Sequence, residues 1–318
     1  MQSTKSVILT VKNRNKNRKH VLKAVWKYRY LYILMLPCII NFILFRYKPI
    51  YGVIISFKDY KVKLGIMGSP WVGLDNFKAI FAGTSFSTVF WNTVILSFYK
   101  LLFGFPAPII LALLLNELKN IKYKKLVQTI TYMPHFLSWV VVAGLFIQFF
   151  SPGNGPVAYI FKAMGIKPVY FFGDPKWFRF SMVLTGIWKS IGWDCIVYLA
   201  ALSSIDPQLY EAAIIDGATR FQRIRYITIP SIMPIVIILL ILNSGSLIED
   251  NFEQIFNFLN DAVLSKGDVI STYVYRTGLV KMRYSYATAI DLFRNAVAFL
   301  LVFISNFIAK KVGEEGIW

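Results

Sequence analysis

Asp206-Pro207-Gln208-Leu209-Tyr210-Glu211-Ala212-Ala213-Ile214-Ile215-Asp216-Gly217-Ala218-Thr219-Arg220-Phe221-Gln222-Arg223-Ile224-Arg225, leading into Ile227-Thr228-Ile229-Pro230, decides how the rest of the chain is read. It is the one long stretch between two apolar runs with the pattern of a soluble amphipathic helix. Asp206 suits an N-cap, because its carboxylate accepts from orphan amides of the first turn, and Pro207 suits the first helical position, where no amide is needed. Gly217 ends or sharply bends the helix, since glycine takes a left-handed backbone without steric penalty. A second short basic helical segment, Arg220 to Arg225, then enters the next apolar run. Two small helices at an angle make a charged, solvated knob. Ala212 and Ala213 on its surface let another backbone come close. The competing reading is an ordinary interfacial helix joining two spans.

The apolar runs set the class. Hydrophobic residues make up 56% and aromatics 17% of the 318 residues, with a mean hydropathy of +0.54. A chain this apolar uses lipid as its solvent. Six runs are long enough to span, judged against the roughly 20 residues that a bilayer core requires: about 30–46, 89–115, 127–150, 180–202, 226–248 and 287–309. Backbone polar groups in lipid must pair within the segment, so the runs are helices. The expected fold is an all-α integral membrane protein with six transmembrane helices. It consists of a basic tail at 1–29 and a membrane domain at 30–318, with the knob at 206–225 in a cytoplasmic loop. The first run is the shortest and contains Pro37 and Asn41, which should interrupt it. Pro106 and Pro108 in the second run, and Pro230 and Pro234 in the fifth, should kink their helices.

The net charge of +19 does not point to nucleic acid, because nine of the 35 Lys and Arg residues lie in the first 29 positions with no acid among them. That cluster reads as a tail on anionic lipid. With the tail, the Lys119, Lys122, Lys124, Lys125 loop, the knob and Lys310-Lys311 on one side, that side is the cytoplasm and both termini lie in it. Cys38 and Cys195 fall inside apolar runs, and His20 and His135 make no metal constellation, so neither disulfide nor metal is expected. Between the first two spans, 70–81 reads as a turn followed by an amphipathic helix lying flat at the interface, with Phe77, Ile80 and Phe81 as its apolar face.

The knob also carries a spacing pattern: Glu211-Ala212-Ala213, three residues, Gly217, nine residues, Ile227, one residue, Ile229 and Pro230. It resembles the EAA signature of permease subunits of binding-protein-dependent ABC importers, with Ile229 where leucine is usual. The likeness covers nearly the whole chain. Pro49-Ile50-Tyr51-Gly52, Ser69 to Leu74, Gly104 to Pro108, Tyr132 to Trp139, Ile187-Trp188-Lys189, Phe252 to Phe256 and Asp268 to Arg276 are similar to oligosaccharide and polysaccharide permeases of the LplB type. Asp250-Asn251 and Asp291 with Arg294-Asn295 depart from that pattern. The resemblance implies a type I ABC importer permease fold in the bacterial plasma membrane. The implied partners are a second, non-identical permease, two cytoplasmic ATPase subunits and an extracellular lipid-anchored solute-binding protein, with a glycan as substrate. The implied permease is non-catalytic and carries no cofactor of its own, ATP and Mg being bound by the ATPase. Tyr210, Glu211, Ala212, Ala213, Asp216, Gly217, Arg220 and Phe221 are then the ATPase-coupling residues.

Lys100, Lys189, Asp194, Asp291 and Arg294 fall within or near the ends of spans, where an unpaired charge costs on the order of 3 kcal/mol. Asp291 and Arg294, three apart, either pair with each other or face a pathway. Lys100 and Lys189 have no close acidic partner in sequence and point to a wet cavity or a bound anion. Trp188 and Trp193 offer faces on which sugars stack, although such residues also populate membrane interfaces. These seven residues form the expected substrate pathway. An ion-coupled secondary transporter is the alternative, and a membrane enzyme is disfavoured because no clustered acids, metal ligands or nucleophile with a base appear in the loops.

Overall fold

The structure, a computed structural model, describes residues 26–245, 248 and 251–311. The basic tail up to Val25 and Asp250 lie outside them. The chain divides into two units, Met1–Ile54 and Ile55–Trp318. In the first, helix α1 (Arg29–Phe42) runs uninterrupted through Pro37 and passes into a π-type turn at Ile43–Tyr47. The helical run Arg29–Phe57 is 29 residues long and apolar enough to cross a membrane. The expected interruption at Pro37 and Asn41 does not occur, since the single amide lost at Pro37 is tolerated where every neighbouring backbone group must pair internally.

Among the described residues the second unit is built of helices and the turns between them. Its elements are α2 (Asp75–Ala82), α3 (Thr84–Glu117), α4 (Ile121–Phe136), α5 (Trp139–Phe149), α6 (Pro156–Ala163), α7 (Pro175–Ser203), α8 (Pro207–Ile215), α9 (Arg220–Ser244), α10 (Phe252–Phe258), α11 (Ile270–Tyr275) and α12 (Tyr284–Lys311). Among the described residues the one β-type pairing is a single bridge between Lys58 and Trp71. Four helical runs are long and apolar enough to cross a membrane, Arg29–Phe57, α3, α9 and α12, or five if α4 and α5 together make one broken span. The run at 180–202 lies in α7, whose 29 residues give ample length while Lys189 and Asp194 dilute its hydropathy.

One expectation is corrected. The run at 127–150 is not one helix: α4 and α5 meet at an angle of 105°. Pro134 removes a donor, the chain tightens into a 3₁₀ turn at Met133–Phe136, and Ser138 caps α5 by accepting from the Val141 amide at 3.3 Å, so one helix stops and a second starts. Helix α2 packs part of its expected apolar face on the protein and leaves Phe81 65% exposed. Ile80 is fully buried, and Phe81 meets Phe293 of α12 edge-on at 5.4 Å.

Helix α7 is the centre of the unit. Its first half buries Phe178 and Met182 with Leu96 of α3, Val142 of α5 and Ile255 and Phe258 of α10. Its second half buries Cys195, Tyr198 and Leu202 with Ala112 and Leu115 of α3 and Ile232 of α9. Gly192 lies directly against the Thr131 carbonyl of α4, with no room for a Cβ. A third cluster joins Ile80, Phe86, Val89, Ile270 and Ile290.

Candidate functional site

Two places bring the predicted residues together. The first is the knob. Asp206 Oδ1 accepts from the Gln208 amide at 2.9 Å, capping α8 as expected. The helix closes with the Ala218 amide donating to the Ala213 carbonyl at 2.9 Å and the Gly217 amide to the Ile214 carbonyl at 3.1 Å. This is a Schellman closure, and it places Gly217 at φ +77°. Thr219 then starts α9 with a capping box: its amide donates to Gln222 Oε1 at 2.7 Å and its hydroxyl accepts from the Gln222 amide.

Glu211, Ala212, Asp216, Gly217, Arg220 and Phe221 are exposed, while Ala213 and Tyr210 are partly buried. Tyr210 turns inward, its hydroxyl 3.0 Å from Thr228 Oγ1, which also donates to the Arg223 carbonyl. That pair ties α8 to the base of α9. Ile215 and Phe221 stand 85% and 70% exposed. Between the two knob helices, a concavity of about 380 Å³ is lined by Ala213, Asp216, Gly217, Gln222 and Arg223 among others. The knob thus leaves its acids, its glycine turn and two large apolar side chains uncovered.

The second place is a cavity of about 400 Å³ bounded by α3, α7, α9 and α10. Of the seven predicted pathway residues, Lys100, Trp193 and Asp194 line it, together with Ser190, Asn243 and Gln254. Lys100 opens a π-type turn, Lys100–Gly104, just before Pro106. Its ammonium donates to Gln254 Oε1 at 2.8 Å. Gln254 is itself fixed, because its Nε2 donates to the Met182 carbonyl at 2.6 Å and to Thr185 Oγ1 at 3.0 Å.

Trp188 and Lys189 lie on α7 outside the cavity wall. Trp188 packs edge-on against Phe146 at 5.1 Å. Lys189, expected in a wet cavity or on an anion, donates to the His135 carbonyl at 2.8 Å and sits over Trp139 at 5.3 Å. That carbonyl is open because the helix stops there. His135 stacks on Trp193 at 4.4 Å with their planes 5° apart. Asp291 and Arg294 pair with each other at 2.8 Å on α12, away from this cavity.

Gln254, Ser190 and Asn243 join the site with no charge to mark them in the sequence. A polar clamp is equally unmarked there: Arg179 donates to Asn92 Oδ1 at 2.7 Å, Asn92 Nδ2 donates to the Asp268 carbonyl at 3.1 Å, and the Asp268 carboxylate pairs with Arg276 and accepts from Thr272 at 2.8 Å. The clamp holds the segment before α11 onto α3 and α7. Among the described residues no group of three or more His, Cys, Asp or Glu comes together.

Residues 77–310 match the family of binding-protein-dependent transport system inner membrane components. The chain is 42% identical over 297 residues to Protein LplB of Bacillus subtilis (strain 168), covering 93% of each chain. It is 41% identical over 305 residues to the polygalacturonan/rhamnogalacturonan transport system permease protein YteP of the same organism, covering 96% of this chain and 95% of that one. A crystal structure of a bacterial alginate ABC transporter, in complex with a periplasmic protein bound to alginate pentasaccharide, contains a chain that superposes with a TM-score of 0.85 at 42% identity, over 93% of this chain and 99% of that one. The ion-coupled alternative finds no support in these similarities. The signature on α8, the helical membrane architecture and the match over most of the chain agree: the protein belongs to the binding-protein-dependent transport system inner membrane components, the multi-pass permeases of ABC importers.

Proposed function

We propose that this permease is one of two non-identical permease halves of an ATP-driven importer for acidic oligosaccharides. Polygalacturonan and alginate, named for two similar proteins, are polymers of uronic acids. The observation that carries the acidic part is the setting of Lys100. Its ammonium is held on the neutral Gln254 amide in a cavity that Trp193 also lines. A uronate fits that pairing, with its carboxylate toward the ammonium and its C–H face toward an indole.

The knob is the coupling element. Glu211, Asp216, Arg220 and Phe221 face a cytoplasmic ATPase, Ala212, Ala213 and Gly217 allow close approach, and Tyr210 transmits movement to α9 through Thr228. Two ATPase subunits bind ATP and Mg, a lipid-anchored binding protein delivers the glycan from outside, and both termini of this chain lie in the cytoplasm.

The test uses the whole complex in proteoliposomes with its binding protein. It compares uptake of a galacturonate oligomer with uptake of its methyl ester of the same length. Lys100→Gln lowers uptake of the acid about tenfold, since a hydrogen bond to a charged group contributes on the order of 1.5 kcal/mol, and leaves the ester unchanged. Equal loss for both substrates gives Lys100 a structural role and removes the acidic assignment.

A further inference from the structure

Helix α12 is built in two unlike halves. Its second half exposes Phe299, Leu300, Phe303, Ile304, Phe307 and Ile308, the composition of a face turned to lipid. Its first half exposes no large apolar side chain. What it leaves open is Asn295, Ala296 and the Asp291 carboxylate, which is 42% exposed despite its bond to Arg294. Thr288, Asp291 and Asn295 recur at intervals of three and four, so they stand above one another on a single face.

Depth makes this face costly in lipid. A helix of 28 residues is about 42 Å long at about 1.5 Å per residue, against a hydrocarbon core of about 30 Å. Centred in the bilayer, it carries Asp291 about 4 Å and Asn295 about 10 Å below the core boundary. Neither a carboxylate nor an amide is stable there against acyl chains. The cavity at Lys100 does not cover them either, because none of its lining residues comes from α12. Arg294 is largely enclosed by this chain, its side chain 19% exposed and its guanidinium on Asp291, so it presents little to a neighbour. The open side of Asp291 and the Asn295 amide demand one.

We propose that the Thr288–Asp291–Asn295 face of α12 is a contact surface for the second, non-identical permease. That partner presents a membrane helix carrying small side chains and hydrogen-bond donors, serine, threonine or asparagine, at the depth of Asp291. Packing of small and hydrogen-bonding residues is what joins helices inside a bilayer, where the hydrophobic effect supplies no drive between them. The inference rests on the heteromeric reading above and adds the surface and the chemistry of its mate.

The test places a photoreactive benzoyl-phenylalanine at position 288, 295, 303 or 307 of the full chain, co-expressed with the second permease, the ATPase and the binding protein. Irradiation of the purified complex is expected to give, from 288 and 295, a covalent product at the summed mass of the two permeases. No such product is expected from 303 and 307, which lie on the lipid face. If the complex co-purifies but 288 and 295 give no permease adduct, or if 303 and 307 give it instead, the surface is wrong while the heteromer stands. If the chain assembles with the ATPase in active form without any second permease, the heteromeric reading fails and the surface fails with it.

Discussion

Gly217 separates two ways in which a glycine matters. It sits at φ +77°, and no atom lies within 4 Å of where a Cβ would be. Space is therefore not the constraint. An L-residue there bears about 1–2 kcal/mol of backbone strain, less for asparagine, which visits the left-handed region readily. The turn is also the hinge between α8 and α9, so strain relieved by rotating the peptide re-aims Glu211 relative to Arg220. Gly217→Val is expected to insert at normal levels and to lose ATP-driven uptake, whereas Gly217→Asn retains most of it. Membrane immunoblots and uptake assays measure both quantities. Equal loss in the two variants shows that the bare surface, and not the left-handed backbone, is what the ATPase requires. Lys189 teaches the complementary lesson. A lysine in an apolar run reads as a cavity residue because its charge demands a partner, yet its partner is a backbone carbonyl 54 positions away, at His135. Side-chain charge is visible in a sequence, and an open carbonyl at a helix break is not.

At the scale of elements, the prolines were legible and the breaks only partly so. Of the four π-type turns among the described residues, three, Ile43–Tyr47, Lys100–Gly104 and Ile224–Thr228, end two residues before a proline, Pro49, Pro106 and Pro230, while the fourth, Arg276–Val280, has none. Proline removes a donor and crowds the preceding turn, and a widened turn absorbs both effects without ending the helix. At Pro134 the helix does end, and the difference is Ser138, a cap ready to start a new one. The paired signal of proline and downstream cap was present in the sequence. It was masked by the apolar run that continues across it. Gln254, Ser190 and Asn243 were not legible as site residues, since a neutral polar side chain in an apolar stretch carries no mark of the direction it faces. The junction of α4 and α7 gives a direct test of close helix packing in the unit. Gly192→Ala drives a methyl into the Thr131 carbonyl and the Tyr132 amide, and backbone cannot yield as a flexible side chain does. A loss of about 1–3 kcal/mol is expected, read as a lowered unfolding temperature in detergent. The adjacent Ile191→Ala, which empties space instead of overfilling it, serves as the comparison. An unchanged midpoint for Gly192→Ala shows that the two helices are free to separate there.

For the whole molecule, the consequence of the 105° bend is topological. If α4 and α5 together cross the bilayer as a broken span, then that crossing and α7 are two passages. The loop with Lys119, Lys122, Lys124 and Lys125 then lies on the same side as the knob with Arg220, Arg223 and Arg225. If the pair enters and leaves by one face, only α7 crosses between them, and the two basic segments lie on opposite sides. Helix length alone fits both arrangements. Charge separates them, because short basic loops stay in the cytoplasm and both segments are short and basic. The bend is therefore expected to be a broken span, with loop and knob both cytoplasmic. Single cysteines at Asn120, Gly153 and Gln222, in a chain with Cys38 and Cys195 replaced by serine and alanine, report the sides through a membrane-impermeant maleimide. In intact cells or spheroplasts, position 153 is expected to label, while 120 and 222 label only after the membrane is opened. Labelling of 120 without 222, or of 222 without 120, would place the two basic segments on opposite faces and make α4 and α5 a re-entrant hairpin. The wall that α4 builds against Gly192 would then belong to a segment that never traverses the bilayer, and the knob's side would follow from α7 alone.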